Sequence, residues 1–189
     1  MKRIVTGLMA ILLSLGAFAQ GSIPILDRVP DHRVQFHYTY SLSQGGKPMT
    51  QVTDGDVIVE DNAYRLSGLG LEVRSDGTTR WSMDRAAEEL LIEKVEKEDL
   101  FTNPALFISS YKGYMDRIRV NASSANSLDV TLVLDEETSA RFVLKDIVFL
   151  DKQGKSDFTM DVKSLPDSFV ITDLRYIPSS VSDLLGMTY

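Results

Sequence analysis

The stretch from Leu69 to Met83 constrains the fold most, because it writes a β-hairpin into consecutive residues. Leu69, Leu71 and Val73 alternate with Gly70, Glu72 and Arg74, the two-residue period of a strand with one buried face. Ser75-Asp76-Gly77-Thr78 follows, with Asp ahead of Gly, a pair that accepts positive φ at little cost and lets the chain reverse. On the return strand Thr79, Trp81 and Met83 alternate with Arg80 and Ser82, and Trp81 is the only tryptophan of the chain. The rest of the sequence is arranged around this hairpin.

The same period recurs on both sides. Val34, Phe36, Tyr38, Tyr40 and Leu42 share one face of a strand and Gln35, His37, Thr39 and Ser41 the other. After a loop at Gln44-Gly45-Gly46-Lys47-Pro48, strands are predicted around Gln51 to Glu60 and Ala63 to Ser67, joined at Glu60-Asp61-Asn62 as a meander. Asn103-Pro104 supplies a helix cap and a first-turn proline, opening a short helix from Ala105 to Tyr111 that is apolar over most of its circumference. Further strands are predicted at Arg117 to Asn121, Ser127 to Leu134, Ala140 to Leu150, Phe158 to Val162 and Phe169 to Tyr176, with polar turns between them. Ser180 with Asp183 and the Gly186 stop frame one or two helical turns that would bury Val181, Leu184 and Leu185. Arg85 to Leu100 reads two ways: its Ala, Glu, Leu and Lys favour a helix, while Leu90 and Ile92 would share one face of a strand.

The N-terminus has the pattern of a cleaved secretory signal: basic Lys2 and Arg3, an apolar run from Gly7 to Leu15, and the small-residue site Ala17-Phe18-Ala19. Residues 1–19 are therefore expected to be removed and residues 20–189 to form one domain, with Gly21 to Asp31 as an extended arm. The sequence contains no cysteine, so an exported chain must stand on its core alone, which favours a bacterial periplasm. Without Lys2 and Arg3 the chain carries 18 basic against 27 acidic residues, a net charge of -9. Such a field repels nucleic acid and anionic membrane surfaces, so lipid recognition would have to come from apolar burial.

Catalytic chemistry has little to work with. His32 and His37 are the only histidines, and an odd separation points them to opposite sides of a strand, so no metal pair is expected. Thiol chemistry and thiolate metal sites are excluded by composition. The carboxylate pairs Asp54 and Asp56, Glu60 and Asp61, Glu88 and Glu89, and Glu96 and Glu98 sit in turns or beside other charges, where nothing raises one of them into a general acid. No nucleophile elbow, phosphate loop or EF-hand spacing is present. No catalytic residue, metal or cofactor is assigned.

In order and spacing, the strand before Ser-Asp-Gly-Thr-Thr-Arg-Trp, the acidic patch after it, Thr-Asn-Pro-Ala-Leu-Phe, Tyr-Lys-Gly-Tyr and the late Val170-Ile171-Thr172-Asp173-Leu174-Arg175 resemble the periplasmic lipoprotein carriers of the LolA family. The resemblance runs from about Val34 to Tyr176. It implies a mainly β fold: an open or half β-barrel of antiparallel strands capped by one or two short lid helices, with a strand from about Glu88 to Val95 after a turn at Arg85 to Ala87. It also implies a monomeric, non-enzymatic, periplasmic protein that binds lipoprotein acyl chains or lipid in an apolar cavity and carries them outward, with an inner-membrane release complex and an outer-membrane acceptor as partners. The expected walls are Phe36, Tyr38, Tyr40, Leu71, Trp81 and Met83, the helix residues Leu106, Phe107 and Ile108, and Leu132, Phe142, Phe158 and Met160 further on. Two family features are missing: no long amphipathic helix fits between Gln20 and Val34, and acidic Glu60 or Asp61 stands where the carriers place a basic latch to the lid. The alternative reading is an envelope signalling module of the same fold that binds a partner protein.

Overall fold

In the computed structural model, residues 22–95 and 103–175 are described. The signal at 1–19 and the helical turns around 181–185 lie outside them. Among the described residues ten strands form one sheet: β1 (Arg33–Gln44), β2 (Thr50–Glu60), β3 (Ala63–Gly68), β4 (Leu71–Ser75), β5 (Thr79–Asp84), β6 (Glu89–Lys94), β7 (Ile118–Ser123), β8 (Leu128–Val133), β9 (Thr138–Leu150) and β10 (Val170–Asp173). The spatial order is β10-β6-β5-β4-β3-β2-β1-β9-β8-β7, so the sheet does not close and β10 and β7 are its edges. The architecture is therefore the mainly β, open sheet that the sequence leads one to expect.

The central hairpin forms as the sequence dictates. Asp76 accepts hydrogen bonds from the Thr78 and Thr79 amides at 2.8 Å each, and Gly77 takes φ 95°, a conformation that a Cβ would strain. Arg85 to Glu88 make the next turn, and β6 settles the ambiguous segment as a strand. The helix α1 (Pro104–Ser110) starts where Asn103 Oδ1 accepts the Ala105 amide at 2.9 Å and Pro104 opens the first turn.

Two departures share one cause. The sheet is not wholly antiparallel, because β10 pairs with β6 in parallel. Phe158 to Val162 is not a strand; it belongs to the crossover between β9 and β10, where the chain makes 3-10 turns at Lys155–Phe158 and Val162–Ser164. A parallel pairing needs a long connection across one face of the sheet, and this segment supplies it.

Directly paired residues of adjacent strands lie on the same face. Val34, Phe36, Tyr38 and Tyr40 of β1, Val57 and Val59 of β2, and Leu144 and Phe142 of β9 therefore line one side. α1 and the N-terminal arm pack there, forming the main core. Trp81 and Met83 of β5, with Leu90 and Ile92 of β6, form a second core with Met160, Val162, Leu165 and Phe169 of the crossover. Trp81 is paired with Arg74, Arg74 with Arg65, Arg65 with Ile58 and Ile58 with Gln35, so this second core lies on the opposite face from Phe36.

Candidate ligand-binding face

Among the described residues the helix face has a sealed part and a half-buried part. Over β1, β9 and β8 it is filled by the protein itself: Phe107 stacks on Phe142 with centroids 5.3 Å apart, and Tyr40 lies 5.1 Å from Phe142. Ala105, Phe107, Ile108 and Tyr111 are buried against this floor, so the space beneath the Asn103-capped helix is packed side chain. Further along, over β3 to β6, the same face carries Leu66, Leu71, Val73 and Leu91, all only half-buried. Leu66 pairs with Val73, Val73 with Ser82 and Ser82 with Leu91, which makes them one continuous strip. Its far margin is the Arg80–Glu93 ion pair at 2.9 Å.

Of the residues expected to form the walls, Phe36, Tyr38, Tyr40, Leu71, Leu132 and Phe142 share the helix face, and Leu106, Phe107 and Ile108 sit on α1 above it. Trp81 and Met83 do not join them. Phe158 lies on the far side under the Arg33 guanidinium, 4.9 Å from ring centroid to Cζ, and Met160 packs against the Trp81 core. The structure thus brings nine of the thirteen together and puts four behind the sheet. The decisive signal was the parity of the hairpin loop. Ser75 pairs with Arg80, an even number of residues intervenes, and Trp81 is thereby set opposite Arg74 rather than Val73.

The arm was the surface that periodicity missed. Ile23, Ile25, Leu26 and Val29 are all buried in the helix-face core although the segment has only one 3-10 helix, Leu26–Asp31. Asp27 ties it to the end of the helix. Its Oδ1 accepts the Tyr111 hydroxyl at 2.6 Å and the Lys112 ammonium at 2.8 Å, and its Oδ2 accepts the Ser22 hydroxyl. Lys112 first, then Ser22 and Tyr111, hold the Asp27 carboxyl well below the usual carboxylate range. Burial, reinforced by the hydrogen bond to Asp27, pushes the Tyr111 hydroxyl up to about 12.

Glu60 lies on the face of the sheet opposite the helix. It is buried with Arg33, whose Nε donates to it at 2.9 Å, and it accepts the Gln153 and Gly154 amides at 3.0 and 2.8 Å. Burial opposes its ionisation, but those amides and Arg33 outweigh burial and keep the carboxyl below its ordinary value. This is a structural buttress for the crossover and the reverse of a general acid's environment. Asp61 pairs with Lys152 at 2.7 Å.

The opposite face holds an open trough of ≈ 770 Å³ between β1, β2, β3, β4 and β9, with Gln35, Ile58, Arg65, Asp146 and Val148 among its lining. His37 stands there 3.2 Å from Asp56, on a half-exposed side chain. Among the described residues no three or more His, Cys, Asp or Glu gather as metal ligands, and no helix is long and apolar enough to cross a membrane.

No family model matches the chain, and no curated protein matches it. Among solved structures it is similar to an uncharacterized conserved protein from Thermus thermophilus, at 9% identity and a TM-score of 0.43 over 79% of this chain and 96% of that one. It is also similar to a LolA superfamily protein from Nitrosomonas europaea, at 9% identity and a TM-score of 0.43 over 72% of this chain and 96% of that one. Likenesses this loose carry no function with them.

Proposed function

We propose that this protein binds a single apolar chain, such as the acyl chain of a lipoprotein or lipid, on the helix face of its sheet, and carries it through the periplasm. The observation that supports this reading most is the strip of Leu66, Leu71, Val73 and Leu91, which continues the sealed core as a half-buried apolar surface among the described residues. An open sheet whose apolar face outruns its cover has surface to offer an aliphatic ligand. Each methylene buried there contributes roughly 0.8 kcal/mol, so a chain of about fifteen gains on the order of 10 kcal/mol before the cost of ordering it. No charged contact is required, which suits a chain with net charge -7.

The test is a titration with cis-parinaric acid, a fluorescent fatty acid, against wild type and Leu91→Asp. The wild type binds saturably, and the variant, folded by circular dichroism, binds at least tenfold more weakly. Absence of saturable binding to the wild type rejects the reading. A second reading, a module that docks a partner protein, is favoured by Val170 and Ile171, which are 60% and 46% exposed on the edge strand β10. It predicts a stoichiometric protein partner and no lipid when the protein is purified from its own compartment.

A further inference from the structure

The arm, residues 22–31, is buried by means unlike those of the strands it covers. Its four aliphatic side chains, Ile23, Ile25, Leu26 and Val29, are each 5% exposed or less, as enclosed as those of a central strand. Among the described residues its backbone joins no strand, and it reaches beyond the arm in a hydrogen bond between the Ile23 backbone and the Tyr111 hydroxyl. Among the described residues its backbone-to-backbone hydrogen bonds are local, from the Leu26 and Asp27 amides to the Ile23 carbonyl and from the His32 amide to the Val29 carbonyl. What ties it to the rest is side chains: the Asp27 cluster with Tyr111 and Lys112, and the Arg28 guanidinium 3.8 Å from the centroid of the Phe149 ring. Lifting the arm off the face therefore breaks no sheet ladder. It exposes aliphatic surface that another aliphatic chain can cover like for like.

From this we infer that the arm is a built-in stand-in for the ligand. Resting on the reading of the helix face as an acyl-chain site, the inference assigns the position of Ile23, Ile25, Leu26 and Val29 to the linear aliphatic chain itself. The ligand enters along Leu66, Val73 and Leu91, displaces the arm, and loosens α1, because Asp27 then no longer holds Tyr111 and Lys112 beside the end of the helix. Affinity is the difference between two apolar occupants of one surface, and the Asp27 cluster favours the internal one. Weakening that cluster must tighten ligand binding, whereas weakening an ordinary wall residue loosens it.

The experiment compares the full chain with Asp27→Asn and Tyr111→Phe, using cis-parinaric acid as probe and hydrogen–deuterium exchange as a second readout. Each variant should bind the probe about three- to tenfold more tightly than wild type, the size expected for one half-exposed charge-assisted cluster. Probe binding should accelerate exchange at residues 22–32 while β1 stays protected. If the probe binds wild type but arm exchange is unchanged and both variants bind equally or more weakly, the stand-in is overturned and the binding face survives. If the probe binds none of the three proteins, the binding face and the stand-in fall together.

Discussion

Arg33→Met is the substitution with the largest consequence that the structure allows one to work out. Arg33 and Glu60 are 4% and 3% exposed, and the guanidinium also donates to Asp157 and Gln153 at 2.8 Å each and to the Gly154 carbonyl at 3.1 Å. Removing the cation leaves Glu60 ionised in a dry site with only two backbone amides, a change that costs about 3–5 kcal/mol when a buried pair loses one partner. For a chain of this size each kcal/mol moves Tm by about 2–4 °C, so the fall is about 6–20 °C. The assay is thermal and urea unfolding followed by circular dichroism and by the fluorescence of Trp81, whose core lies under the crossover that Arg33 anchors. Adding Glu60→Gln keeps an acceptor for the amides, discharges the site and should restore at least half of the loss. The pH dependence has a sign. In wild type the Glu60 carboxyl lies below its ordinary value of 4.5, so its contribution is present above that pH and lost as pH falls through the lower folded value. Without Arg33 only the two amides offset burial, so the carboxyl rises from its wild-type position and acidification relieves the variant first. The gap between the two proteins must therefore narrow as the pH falls through the variant's carboxyl and on toward the lower wild-type one. A loss under about 1 kcal/mol, below the range for such pairs, or a gap that widens in acid refutes the argument.

Phe107→Ala, at a fully buried ring stacked on Phe142, should cost about 3–5 kcal/mol in urea unfolding, the cost of a large cavity that cannot collapse. Met83→Ala should also destabilise, by about 2–5 kcal/mol, yet leave probe affinity within twofold in the folded protein, because Met83 faces away from α1. The Tyr111 hydroxyl, raised from its ordinary 10.0 to about 12, contributes stability that is whole below pH 10 and lost as pH rises through about 12; Tyr111→Phe should flatten that part of the stability curve.

Local chemistry in the sequence was enough to place most of the sheet. Asp76-Gly77 and Asn103-Pro104 act through bonds to neighbours a few residues away, so the hairpin and the helix start were legible there. The strand at Glu89–Lys94 won over helix propensity because Leu90 and Ile92 bury together under the crossover, a tertiary effect that propensity does not contain. The sequence showed which residues are apolar but not which face each takes, and the apolar cavity it led one to expect beneath the helix is filled by Phe107, Ile108 and Phe142. Alternation says that Trp81 and Phe36 are each on an apolar face, and only the pairing of Ser75 with Arg80 says that the faces differ. The arm escaped because its contacts follow no period, and the Arg33–Glu60 pair escaped because its members are far apart in sequence and look like ordinary strand-end charges.

Photolabelling can place an aliphatic chain on the helix face over β3 to β6. Palmitate bearing a diazirine at mid-chain is irradiated with the full-length protein, and adducts are mapped by peptide mass spectrometry with unlabelled palmitate as competitor. Adducts should fall on the peptides carrying Leu66, Leu71, Val73 and Leu91 and vanish under competition. Adducts confined to the opposite face, at Val148 or His37, or adducts that competitor does not remove, rule out a site on the helix face.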